Sequence, residues 1–236
     1  MGLFLFGIIF GDMSIILNIE TATTNCSVSI SKEGEVVALK EFNSPNYSHS
    51  EKLHVFIQDI VAKADLAFSD LDAVAVSKGP GSYTGLRIGV SASKGLCFSL
   101  DIPLISIPTL ESMANQYKGE GVDFIIPLLD ARRMEVYSEV YDRNLEKVRE
   151  TRAEIVEADS FKDYAAQGKV LLMGSGAAKC IDVLGNQKFS FEPTLVPSAK
   201  ELSILSYKKL LKKDFEDVAY FEPFYLKDFI LQQKKV

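Results

Sequence analysis

Short unbroken apolar runs alternate along the chain with stripes of helical period, and that alternation predicts a mixed α/β protein. Ile15 to Ile19 reads as a buried strand ending at Glu20. Cys26, Val28 and Ile30 then alternate with serines as a second strand, and after a Lys32-Glu33-Gly34 turn Val36 to Phe42 gives a third. Asn43 to Tyr47 breaks the sheet. A capping box, Ser48-x-x-Glu51, opens a helix whose stripe is Leu53, Phe56, Ile57, Ile60, Val61 and Ala64. His49 falls in its first turn, where a surface position is expected.

Leu71 to Ile107 predicts strand, glycine loop, helix and strand. In the loop Gly79-Pro80-Gly81-Ser82-Tyr83-Thr84, either Ser82 or Thr84 can cap a helix beginning near Gly85, and such a helix start suits an anion. The loop nonetheless matches no phosphate fingerprint. No Lys-Ser or Lys-Thr follows Gly85, and Gly85 comes one residue too late for G-x-G-x-x-G. Gly85, Gly89, Ala92 and Ser93 share one helix face nearly devoid of side chains, so a neighbour must approach that backbone closely. It is either another element of the same chain or a helix of a second molecule.

A second unit follows. Phe124 to Leu129 reads as a buried strand ending at Asp130, Ala131 to Met134 as a turn, and Glu135 to Tyr141 as the returning strand. Val170 to Met173 is another strand, running into Gly174-Ser175-Gly176, and a second capping box, Ser198-x-x-Glu201, opens a helix to about Lys213. Its lysines 208, 209, 212 and 213 read as a solvated end that complements the helix dipole. Leu17-Asn18-Ile19-Glu20 and Pro127-Leu128-Leu129-Asp130 both run from strand to acid to polar turn, the mark of an internal duplication.

With 47% apolar and 25% charged residues the composition is that of a globular protein. A net charge of -6 over 236 residues argues against a chain that grips nucleic acid unaided. Cys26, Cys97 and Cys180 are scattered, as expected of reduced core thiols in a cytoplasmic protein, and two histidines with no cysteine nearby argue against zinc. Met1 to Asp12 is apolar but lacks the basic start and cleavage site of a signal peptide, and it is too short to span a bilayer, so no membrane role is expected.

The run SKGPGSYTGLRIGVSASKGL, followed by IPLISIPTLESMA, closely resembles the TsaB (YeaZ-like) family. Further resemblance lies in ILNIETATTNCSVSI, HSEKL, LLDARRMEVY, GSGA and PFYLK, covering the chain from Met13 onward. Met13 is therefore the expected start and residues 1–12 an extension outside the family. The resemblance implies an α/β fold of two actin-like (ASKHA, ribonuclease H-like) subdomains, 13–118 and 119–236, the second reduced. It implies a partner subunit, non-catalytic by itself, that joins TsaD directly and TsaE through the complex in threonylcarbamoyl transfer to N6 of the adenosine beside the tRNA anticodon. A homodimer is expected where TsaD is absent, and tRNA is met only within the assembly. The helices 48–64 and 85–100 are expected to pair with their TsaD counterparts, which makes Leu53, Phe56, Ile57, Ile60, Gly85, Gly89, Ala92 and Ser93 the candidate partner interface.

An ATP-using member of such a fold needs a carboxylate near metal and hydroxyls near phosphate. Glu20, Thr21, Thr23 and Thr24 are the candidates in the first half, Asp130 with Arg132 and Arg133 and Gly176 those in the second. Each has a plainer reading. Threonines satisfy their own turns, Asp130 bridges the hairpin arginines, and Gly174 to Gly176 simply turns the chain. The family usually has aspartate where Glu20 stands, which puts independent nucleotide chemistry in question. No Ser/His/acid or Cys/His arrangement is evident, so the expected chain has no catalytic residues, metal or cofactor of its own; the resemblance implies that ATP and magnesium are used by the assembled complex. The rival is an independent small-molecule kinase or ATPase of the same fold; a metalloprotease reading lacks a ligand cluster.

Overall fold

The computed structural model describes residues 13–45, 48–185 and 188–227. Residues 1–12, with the expectation attached to them, lie outside. In chain order the elements are β1 (Ile15–Glu20), β2 (Asn25–Lys32), β3 (Glu35–Asn43), α1 (His49–Lys63), β4 (Ala73–Gly79), α2 (Tyr83–Leu100), β5 (Leu104–Pro108) and α3 (Thr109–Ala114). There follow β6 (Phe124–Asp130), β7 (Glu135–Asp142), β8 (Lys147–Ile155), α4 (Lys162–Gln167), β9 (Val170–Met173), α5 (Ile181–Leu184), β10 (Phe189–Glu192) and α6 (Ala199–Lys212).

Two five-stranded sheets result, ordered β3-β2-β1-β4-β5 and β8-β7-β6-β9-β10. Each is an antiparallel meander of three strands continued by two parallel ones. Each also places one helix before its fourth strand and another before its fifth. The same topology drawn twice is the duplication that the paired strand-acid-turn segments predict. The second copy is reduced, with crossover helices of 6 and 4 residues against 15 and 18 in the first.

The first sheet is covered on both faces, so its central strands β1 and β4 are buried on both and largely apolar. Leu17, Ile19, Val28, Ile30, Val74 and Val76 meet α1 and α2, while Ile16, Ala73, Ala75, Ile105 and Ile107 meet Leu202 and Leu205 of α6. The serines of β2 lie under α6 and are hydrogen-bonded. Ser29 Oγ donates to the Ala199 carbonyl at 2.8 Å, Ser206 Oγ to Asn18 Oδ1 at 2.7 Å, and Ala199 N to Ser27 Oγ at 3.0 Å. Buried hydroxyls so satisfied cost little, whereas removing a partner strands the remaining polar atom.

α6 thus returns to the first sheet, although it belongs to the stretch 119–236 expected to form the second unit. The segment after it follows suit, Glu216 N donating to the Leu104 carbonyl at 2.9 Å and Phe224 N to that of Lys78 at 2.7 Å. The second sheet has its own core of Ile126, Leu128, Val136, Val140, Phe161 and Leu172. α3 packs on its other face, against β6 and β7, and touches α6.

The second capping box forms in part: Ser198 accepts from Lys200 N at 3.2 Å. The first does not, since Ser48 makes no side-chain cap and its hydroxyl is buried.

Candidate functional site

The carboxyl end of the first sheet brings together the β1–β2 turn, the glycine loop and the start of α1. Ser82 caps α2, accepting from Gly85 N at 3.3 Å. Its own backbone N–H donates to the Ala22 carbonyl at 2.7 Å. A Cβ at Gly81 would stand 2.5 Å from that carbonyl oxygen, and one at Gly85 or Gly89 would collide with the Thr21 carbonyl or hydroxyl. The loop is therefore glycine-rich because the chain's own hairpin lies in it, and the intramolecular reading of Gly85 and Gly89 is the one realised.

Glu20 is fully buried. Its Oε1 accepts from Ala22 N at 2.6 Å and from Ser77 Oγ at 2.8 Å, while Oε2 has no protein partner. Burial drives its carboxyl up to about 7, against the lowering effect of those hydrogen bonds. Thr24 donates to Asn43 Oδ1 at 2.8 Å, and the Thr23 hydroxyl accepts weakly from Asn25 N at 3.4 Å. The carboxylate is thus sealed from solvent and the hairpin lies against the helix start.

His49 departs from its expected surface position. It is 2% exposed, its Nε2 donates to the Thr23 carbonyl at 2.7 Å, and burial lowers its pKa. Its Cδ2 would be 3.3 Å from a Cβ at Gly85, so α1 begins beneath the hairpin and the ring helps to hold it.

The second hairpin is organised by a residue that sequence reading passes over. Lys179, just after the Gly174–Gly176 turn, pairs with Asp130 Oδ1 at 2.6 Å and also donates to the Arg133 and Glu135 carbonyls. The expected bridge from Asp130 to the hairpin arginines is thus replaced. Arg132 reaches Asp130 only through its backbone N–H, at 2.7 Å, and both arginine side chains are exposed. Gly176 belongs to packing: its N–H donates to the Leu128 carbonyl at 3.0 Å, and a Cβ there would stand 2.9 Å from that of Leu128.

The interface candidates separate by burial. Leu53, Phe56, Ile57 and Ile60 face the sheet in the first core, and Ser93 is buried with its hydroxyl on the Gly89 carbonyl at 2.9 Å. Ala92 is half-buried. A helical stripe read from sequence has only one apolar side, and here the chain's own sheet takes it. The outward faces instead carry Val55, Gly95 and Phe98, which is 84% exposed. Gly95 has nothing within 4 Å of a would-be Cβ.

The three cysteines are buried and free, and burial raises their thiols to about 11, 12 and 11 for Cys26, Cys97 and Cys180. Among the described residues no group of three His, Cys, Asp or Glu side chains is placed to hold a metal ion. No described helix is long and apolar enough to cross a membrane.

Residues 44–230 match the family described as TsaD, tRNA N6-adenosine threonylcarbamoyltransferase. The tRNA threonylcarbamoyladenosine biosynthesis protein TsaB of Escherichia coli is 28% identical over 228 residues, 93% of this chain and 97% of that one. TsaB of Buchnera aphidicola subsp. Schizaphis graminum is 31% identical over 80% of this chain and 90% of its own. Among solved structures, YeaZ from Pseudomonas aeruginosa aligns with a TM-score of 0.77 and 26% identity, over 91% of this chain and the whole of that one. Taken with the duplicated sheet and the filled glycine loop, these likenesses mean that the chain belongs to the TsaB (YeaZ-like) family.

Proposed function

We propose that the chain is a non-catalytic partner subunit in the biosynthesis of tRNA threonylcarbamoyladenosine, working in the cytoplasm with TsaD directly and with TsaE through the assembly. The observation that carries this reading is the Ala22 carbonyl on Ser82 N at 2.7 Å. The chain's own hairpin lies in the glycine loop with Glu20 sealed beneath it, which supports a contribution made by shape. ATP and magnesium are used by the assembly and not at this hairpin.

In this reading α1 and α2 meet TsaD, or a second copy of this chain when TsaD is absent, with their outward faces. Of the glycines in α2, Gly95 has open space around a would-be Cβ, and its bare backbone beside Phe98 lets a partner helix come close.

The test is reconstitution. Purified chain supplied with ATP, threonine, bicarbonate and tRNA is expected to form no threonylcarbamoyladenosine, and activity is expected once TsaD, TsaE and the enzyme that makes threonylcarbamoyl-adenylate are added. Modification by the chain alone, or full activity of the other components without it, overturns the reading.

A further inference from the structure

We infer that a ridge running from the outer face of α2, along the C-terminal segment, to the tip of the β6–β7 hairpin is a contact surface for an RNA phosphate backbone. The inference rests on the tRNA-directed function proposed above and adds where this chain meets the RNA.

The ridge begins at Arg87, whose guanidinium lies 4.2 Å from the centre of the Tyr83 ring and donates through Nε to the Tyr225 hydroxyl at 3.1 Å. The two tyrosine rings are 4.8 Å apart. Two residues beyond Tyr225, Lys227 pairs with Glu135 at the base of the second hairpin, so the C-terminal segment ties the first half of the molecule to the second. At the tip stand Arg132 and Arg133, both exposed.

Two carboxylates along the ridge are already engaged. Asp130 is held by Lys179 and Glu135 by Lys227; Glu222 is the acid whose charge reaches Arg87. Among the described residues no carboxylate forms an ion pair with Arg87, Arg132 or Arg133. In a chain of net charge -6 the hairpin tip is a local pair of unneutralised cations, with Arg87 partly offset by Glu222.

The hairpin conformation points the same way. Arg132 and Arg133 have φ of 73° and 51°, two successive left-handed residues where asparagine and glycine sit with less strain. Lys179 holds the turn through the Arg133 and Glu135 carbonyls, so the arginines are presented on a braced support. Guanidinium groups match phosphate bidentately, and Tyr83 and Tyr225, both half-buried, hold the Arg87 guanidinium in place. An acidic protein segment would use the same cations, and the tRNA-directed function proposed above is what favours RNA.

The experiment measures binding of a fluorescently labelled tRNA transcript to the chain assembled with TsaD, at about 50 and about 200 mM salt. Arg132→Asn with Arg133→Gly removes both charges and suits the left-handed turn. It is expected to weaken binding about tenfold and to reduce the salt slope by roughly 1 to 2, while Arg132→Lys with Arg133→Lys retains most of the affinity. Tyr225→Leu is expected to weaken binding with the slope unchanged. Unchanged affinity and slope in the Asn-Gly variant, with modification of tRNA intact, overturn the ridge alone. Loss of TsaD association with unchanged tRNA binding would assign the ridge to a protein partner and also overturn it. A wild-type assembly that neither binds nor modifies tRNA overturns the function on which the inference rests, and the ridge with it.

Discussion

The Thr21 hydroxyl occupies the space that a side chain at Gly89 would need. This one contact locks the β1–β2 turn onto α2 and accounts for a helix glycine that propensity alone would disfavour.

It gives opposite signs for two glycines of the same helix. Alanine normally stabilises a helix interior by up to about 1 kcal/mol relative to glycine. Gly95→Ala, with open space around its Cβ, is expected to raise the urea midpoint, whereas Gly89→Ala is expected to lower it by an overpacking cost of about 1–3 kcal/mol. Equal gains at both positions would refute the Thr21 contact.

Gly95 also probes association. Gly95→Leu is expected to leave the monomer folded and to weaken pairing with TsaD by about 2 kcal/mol, the scale of an interface hot spot. Sedimentation or calorimetry reads this directly; unchanged affinity would place the partner on another face.

Glu20 makes stability depend on pH. Its carboxyl rises from the ordinary 4.5 to about 7 in the fold, so the native state prefers the protonated form. The stability this contributes is complete below pH 4.5, is lost as pH rises toward 7, and stays lost above, a swing on the order of 3 kcal/mol. Glu20→Gln imitates the protonated acid and is expected to match wild type near pH 4.5 but exceed it at pH 8. A difference between the two that is the same at both pH values would show that Glu20 is not held this way.

Lys179 braces the second hairpin. Lys179→Met keeps the aliphatic stem but removes the donor to Asp130 and two carbonyls, and is expected to cost about 2 kcal/mol. Amide exchange from 130 to 135 should accelerate more than elsewhere. Uniform acceleration across the second sheet would mean that Lys179 supports the core and not the turn.

Much of the fold is legible in the sequence because it depends on local periodicity. The apolar runs of β1, β4, β6 and β9, the stripe of α1 and the second capping serine are each set by residues within a few positions of one another. β8, β10 and the short crossover helices are not, since Lys147–Ile155 is largely polar and Ile181–Leu184 spans barely one turn. The family, too, is carried by residues contiguous in the chain.

What only the tertiary structure decides is which neighbour each patterned face meets. Sequence shows that Gly85 and Gly89 admit a close approach, but Thr21 is the neighbour because β1 and β4 pair in parallel and bring both loops to one end of the sheet. It shows an apolar stripe on α1, yet whether a sheet or a partner covers Leu53 and Phe56 depends on packing. The burial of His49, the exchange of the expected arginine bridges for Lys179, and the return of α6 over the serines of β2 each join residues far apart in the chain. Such contacts follow from chain topology and excluded volume, which no local pattern encodes.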